Sequence, residues 1–175
     1  AMDIVLGRGG DQAVIRENEI YKFYGGRAQE VEKRTKVKAR VVAHALENLI
    51  KDASKVMVMG HTNPDIDSMG SSMGIYRLAK SLGKKAYIID SSETNTLQSF
   101  KNDLAKEPEY EDILITKEVA EENIDNETLV VIVDTHKTTY VEAPELLKRT
   151  DKIVIIDHHR RSADYIENAT LTFQE

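Results

Sequence analysis

The sequence predicts an α/β fold of the Rossmann-like kind, a mainly parallel sheet with helices on both faces. Two observations predict it. Short, nearly unbroken Val/Ile runs such as "KVMVMG", "TLVVIVD" and "KIVIID" have the composition of strands buried on both faces. Those runs alternate with helical segments, the rhythm of βαβ units. At 175 residues and 41% hydrophobic, the chain suffices for one well-packed domain, or for one domain and part of another.

Taken in order, the chain opens with "LGRGGDQAVIREN", where Gly7, Gly9 and Gly10 predict a break between a helix end and a strand. "EIYKFYGG" reads as a strand closed by a turn. A helix is expected from about 31 to 53, because Val37, Val41, Ala45 and Leu49 recur at helical spacing and Val42, Leu46 and Ile50 widen the stripe. Its basic residues Lys33, Arg34, Lys36, Lys38 and Arg40 read as a solvated face, and His44 as a surface or packing histidine. "KVMVMG" is the next strand, and Ser68 to about Ser81 a helix closed by Gly83. Gly70 and Gly74, one helical turn apart, are expected to let that helix approach the sheet closely. "KAYIID" is a strand, "LQSFKNDLA" a helix, "DILIT" a short strand and "KEVAEEN" a helix. "TLVVIVD" and "KIVIID" are two further strands separated by a helix around "APELLKR".

Ligands of open parallel sheets bind beyond the carboxyl ends of the strands. Three of these strands run into ionisable residues: His61, Asp65 and Asp67 after the first, Asp134 at the end of "TLVVIVD", and Asp157, His158 and His159 at the end of "KIVIID". Taken singly, such residues are ordinary caps, with Asp67 or Ser68 fitting an N-cap. His136 reads as a loop histidine. Jointly, four carboxylates on one rim repel unless cations neutralise them or their pKa values rise. With oxygen and imidazole donors and no sulfur, the natural cations are Mn²⁺, and less tightly Mg²⁺ or Fe²⁺. Asp134, at the end of a central strand, is placed to bridge two ions about 3.5–4 Å apart. Such a pair generates hydroxide near neutral pH and steadies both oxygens of a displacement at phosphorus. The residues therefore predict a two-metal phosphoester or phosphoanhydride hydrolase.

Composition narrows the alternatives. The absence of cysteine excludes disulfides, thiolate catalysis and Cys-ligated zinc, and fits a cytosolic protein. A net charge of −6 argues against a grip on long nucleic acid. No apolar run has transmembrane length and no signal peptide opens the chain, so the expectation is a soluble, cytoplasmic piece.

"GHTNPDID", "VVIVDTH" and "IIDHHRR" resemble, in order and context, the first three motifs of the DHH phosphoesterase superfamily. More closely, the whole chain resembles the membrane-anchored cyclic-di-AMP phosphodiesterases of the GdpP type. In these, a degenerate GGDEF domain leads through "VEKRTKVKARVVAHAL" into the DHH domain. The resemblance implies the end of the GGDEF-like domain at 1–30, a linker helix at 31–54 and the N-terminal part of the DHH domain at 55–175. It assigns His61, Asp65 and Asp134 to one Mn²⁺, and Asp67, Asp134 and His158 to the second. His159 would face the substrate phosphate, Asp157 would orient its neighbours, and Arg160 is a candidate phosphate contact. Asn63 and Pro64 would shape the ligand loop.

The same resemblance implies hydrolysis of cyclic-di-AMP to linear pApA. It also implies a fourth motif that completes the second metal and a DHHA1 domain that grips the cyclic dinucleotide. Neither is present before the chain stops at "ENATLTFQE", so weak or no activity is expected of the piece alone. Dimerisation and a membrane anchor in the parent are further implications. Other readings are a DHH-type nanoRNase or exonuclease and a family II pyrophosphatase, both opposed by the GGDEF-like lead-in. A non-catalytic nucleotide-binding module and a purely structural Rossmann-like module complete the set.

Overall fold

The computed structural model describes residues 12–17, 20–25, 28–92, 97–160 and 162–174, and over 12–36 it gives the course of the backbone. The Gly7, Gly9 and Gly10 break expected from the sequence lies outside the described residues. The chain divides into two compact units, Ala1–His44 and Ala45–Glu175. In the first, β1 (Gln12–Glu17) pairs antiparallel with β2 (Ile20–Gly25). Helix α1 (Ala28–Asp52) begins in this unit and ends in the second. Val37 and Val41, expected on its apolar stripe, are 55% and 64% exposed, and Lys38, Arg40 and His44 are exposed too. Leu46 and Ile50, one turn apart farther along, carry the burial instead. Among the described residues, no helix is long and apolar enough to cross a membrane.

The second unit is a six-stranded parallel sheet in the order β5-β4-β3-β6-β7-β8. Its strands are β3 (Val56–Met59), β4 (Ala86–Ile89), β5 (Leu114–Ile115), β6 (Leu129–Val133), β7 (Ile153–Asp157) and β8 (Leu171–Gln174). Strands β3 and β6 are buried along their whole length because alternate side chains enter two different cores. Val56, Val58, Leu129 and Val131 pack with Leu46, Ile50, Met69, Ile75 and Tyr76 on one face. Met57, Met59, Val130 and Ile132 pack with Ala120, Ile124 and Leu146 on the other. Helices α2 (Ile66–Ser81) and α3 (Gln98–Leu104) belong to the first face, and α4 (Lys117–Asn123) to the second. The segment around "APELLKR" is a 3-10 turn, Pro144–Lys148, with Pro144 at its start, rather than a full helix.

Two details correct the sequence reading. The N-cap of α2 is Asp65, whose side chain accepts from the backbone N–H groups of Asp67 and Ser68, so the helix starts at Ile66 rather than Ser68. Among the described residues, a Cβ on Gly70 or Gly74 would meet nothing within 4 Å, and both are exposed. Instead α2 buries Ser68 and Ser72, only 1% and 2% exposed, beside Met69, Ile75, Tyr76 and Ala79, and the glycine on which close approach depends is Gly60.

The sheet order fixes where a ligand can enter. After β3 the chain moves outward through β4 and β5, then returns to place β6 on the other side of β3. The crevice at the carboxyl ends of β3 and β6 is the topological switch point. His61 follows β3, Asp134 follows β6, and Asp157 ends β7 beside it.

Candidate metal centre

Each strand delivers its candidate ligand by a different device. Past β3, Gly60 gives way to His61, which is tied by an isolated antiparallel bridge to Val141. Backbone bonds from Thr62 N to Tyr140 O and from Glu142 N to Gly60 O, both 3.0 Å, complete that tie. The His61 ring lies parallel to Tyr140, with centroids 5.2 Å apart and planes 1° apart. Its buried Nδ1 has no hydrogen-bond partner among the described residues, so stacking holds the ring where a hydrogen bond to that nitrogen commonly would. Asp134 leaves β6 with φ of 58°, a left-handed conformation that aspartate tolerates better than most residues. Asp157 closes β7 with a fully buried side chain.

Asp134 stands between two groups, and its two oxygens divide between them. Oδ2 lies 3.5 Å from His61 Nε2, which is itself 4.0 Å from Asp65 Oδ1. Oδ1 lies 3.2 Å from His158 Nε2 and 3.6 Å from His159 Nδ1. The ligand atoms of His61, Asp65 and Asp134 fall within 4.8 Å of one another, as do those of Asp134, His158 and His159. Asp67 Oδ2 stands 3.5 Å from His158 Nε2, at the edge of the second group. His159 therefore lies nearer that group than the sequence reading placed it, although its Nδ1 is already bonded to Asp157 Oδ1 at 2.8 Å. Arg160 is exposed on the wall of the same cavity, which has a volume of about 610 Å³.

The electrostatics favour a cation. Burial pushes the Asp134 carboxyl above its ordinary pKa, and the charges of Asp67 and Asp65 push it further, against a smaller opposing effect of His159 and His61. Its Oδ1 is buried and makes no aligned hydrogen bond among the described residues, despite the nearby imidazoles. Such a group is costly unless something positive occupies the space. Asp65 shifts the other way, because its carboxylate accepts the Ser68 and Asp67 backbone N–H groups, although burial opposes the shift. Its capping bonds use Oδ1, which leaves Oδ2 unengaged by the cap. Oxygen and imidazole donors around one unsatisfied buried oxygen fit Mn²⁺, Mg²⁺ or Fe²⁺.

His136 departs most from expectation. Read from sequence as a loop histidine, it is 3% exposed and in contact with Asp157 Oδ2 through Nδ1. The signal that could have found it is its place at the end of "VVIVDTH", two residues after Asp134. Gln174, on a strand the sequence reading did not predict, donates from Nε2 to the His159 carbonyl at 2.6 Å.

A parallel sheet whose switch point is lined by these motifs is a recognisable class. The chain belongs to the DHH family, whose N-terminal domain matches residues 55–175. Over its full length it is 40% identical to the cyclic-di-AMP phosphodiesterase PdeA of Listeria monocytogenes and 41% identical to the cyclic-di-AMP phosphodiesterase GdpP of Bacillus subtilis. It spans 27% of the length of each of these relatives. Its fold is shared with an exopolyphosphatase-related protein from Bacteroides fragilis, at a TM-score of 0.54 and 23% identity, over 77% of this chain and 39% of that one.

Proposed function

We propose that this domain carries the metal-binding half of the active site of a cyclic-di-AMP phosphodiesterase, which opens the cyclic dinucleotide to linear pApA. The observation that carries the reading is the division of Asp134 between two ligand groups, with Oδ2 toward His61 and Oδ1 toward His158. The full-length similarity to relatives named for this activity supplies the substrate. In this reading His61, Asp65 and Asp134 hold one Mn²⁺, and Asp67, Asp134 and His158 the other. The ions would supply Lewis acidity and an activated water near neutral pH.

The chain's own residues do the rest. Asp134 fixes the spacing of the two groups. His159, its Nδ1 bonded to Asp157, turns its other nitrogen toward the phosphate and its attacking water, and Arg160 offers a positive contact from the wall. In the reaction one P–O bond to a ribose 3′-oxygen breaks, one P–O bond to the oxygen of water forms, and the leaving oxygen takes a proton. We further propose that residues 1–30 end a degenerate GGDEF-like domain and that 31–54 form the linker. The full protein would be membrane-anchored, with a DHHA1 domain for the rest of the dinucleotide, and dimeric.

Calorimetric titration of Mn²⁺ into the chain and into its Asp134→Ala variant tests the centre, with cyclic-di-AMP hydrolysis followed in the full-length protein. Binding that the variant loses, together with pApA as product, is expected. A full-length protein that ignores both Mn²⁺ and cyclic-di-AMP would overturn the reading.

A further inference from the structure

Both ring nitrogens of His136 are engaged, Nδ1 by Asp157 and Nε2 by the Ser162 backbone, more than a loop histidine needs for packing. Its Nδ1 contacts Asp157 Oδ2, and its Nε2 receives the backbone N–H of Ser162 at 3.0 Å. A backbone N–H can only donate, so Nε2 presents its lone pair and the ring proton sits on Nδ1, directed at Asp157. The Ser162 hydroxyl lies 3.0 Å from the same Nε2 but donates its own hydrogen to the Asp164 carbonyl at 2.6 Å. Gln174 Nε2 comes within 3.4 Å of Nδ1, but its short bond goes to the His159 carbonyl.

Asp157 is thereby gripped from both sides. Oδ2 faces His136, while Oδ1 accepts the backbone N–H of His159 at 3.1 Å and its Nδ1 at 2.8 Å. A carboxylate clamped at both oxygens cannot rotate, so the second imidazole inherits the orientation of the first. The His159 side chain is 56% exposed on the cavity wall, and with Nδ1 engaged only Nε2 remains to meet a ligand.

We propose that His136 is a positioning residue: through Asp157 it fixes the tautomer and ring plane of His159, so that the Nε2 lone pair faces the water that attacks the scissile phosphate. The proposal rests on the reading of His159 as the phosphate-facing histidine. Metal ligands commonly depend on such outer partners, whose loss lowers activity by about 10–100-fold. Here the dependent residue is one that touches substrate. The effect should fall on kcat, since ground-state binding is spread over the whole dinucleotide.

The test joins a spectroscopic and a kinetic arm. In ¹⁵N-histidine NMR of the metal-free chain, which has five histidines, His136 and His159 should both carry a proton on Nδ1. His136→Asn keeps a donor near the Nδ1 position and should preserve the His159 signal and most of kcat. His136→Gln and His136→Ala should scramble the His159 tautomer and lower kcat of the full-length protein by about 10–100-fold, with KM and Mn²⁺ affinity little changed. A wild-type His136 protonated on Nε2 alone would overturn the proposal, as would an unaltered His159 signal in the Gln variant or equal losses for Asn and Gln. Should the alanine variant not fold, the Asn and Gln pair decides. If the wild type cleaves no cyclic-di-AMP, the phosphodiesterase reading fails, while the NMR arm still decides the clamp.

Discussion

Gly60 and Ser68 approach so closely that a Cβ on Gly60 would stand 1.9 Å from the Ser68 hydroxyl oxygen. Ser68 is 1% exposed, on the first turn of α2, and has little freedom to withdraw. Gly60→Ala should destabilise the domain by about 1–3 kcal/mol, the usual cost of overpacking. Ser68→Ala removes the offending oxygen and should recover part of that loss in the double variant. Denaturant unfolding of the four proteins measures the coupling, and an unperturbed Gly60→Ala would refute the contact.

Asp134→Asn is the cleanest probe of the shared carboxylate, because asparagine also accepts a φ of 58°. Mn²⁺ affinity should fall by about 100-fold or more, beyond the upper range for outer-shell changes. The metal-free fold should not suffer. The carboxyl is raised by burial and by Asp67 and Asp65, so its ionised form opposes folding, and that burden grows as pH rises through the raised value. Melting in chelator at neutral pH should therefore show the variant at least as stable as wild type.

Tyr140 offers a separable test of His61. The stack is worth about 0.5–1.5 kcal/mol by analogy with aromatic pairs. Tyr140→Ala should weaken Mn²⁺ binding by a corresponding factor of about 2–12, and Tyr140→Phe should not. Calorimetry on both variants checks this, and equal affinities would show that the backbone tie to Val141 suffices.

Far from the centre, Asp125 links acid stability to a surface network. Hydrogen bonds from Lys55, Thr128 and, less strongly, Ser54 hold its pKa down at about 2 against the opposing effect of burial. A depressed folded value stabilises above the unfolded pKa of about 3.9, and that contribution is lost as pH falls through about 2. Asp125→Asn should thus melt lower than wild type at neutral pH and converge with it below about pH 2. The difference should be small, since the side chain is 43% exposed and solvent screens the pair. A gap that persists in acid would contradict the assignment.

The central strands were legible because β3, β6 and β7 are apolar at nearly every position, a pattern that only burial on both faces explains. Strand β8 was not. Its "LTFQ" is short and only partly buried, and it earns its pairing with β7 from sheet register rather than from hydrophobicity. The rim residues could be located because each follows a strand end, so topology alone gathers them. Which of Asp65, Asp67 and Ser68 caps α2 turns on a dihedral angle at one residue, which spacing does not encode. His136 read as a loop histidine for a different reason: its burial goes with Ser162 and Ile166 folding back onto it, a contact between segments about 30 residues apart. Gly70 and Gly74 misled because helical spacing does not say which face meets the sheet.

The stretch from Thr135 to Ala143 also has a practical consequence for anyone modifying this domain. Its main chain is fastened to Gly60 and Thr62 on one side, and through the His136 carbonyl to Ile166 N at 3.0 Å on the other. It is a tie-beam between the two halves of the rim rather than a free connector. A reporter or affinity tag grafted there would prise His61 from His158 while leaving the sheet intact. The exposed turn at Lys106–Glu107, which contributes nothing to the candidate ligand groups or to the cavity wall, is the place where such a graft should be harmless.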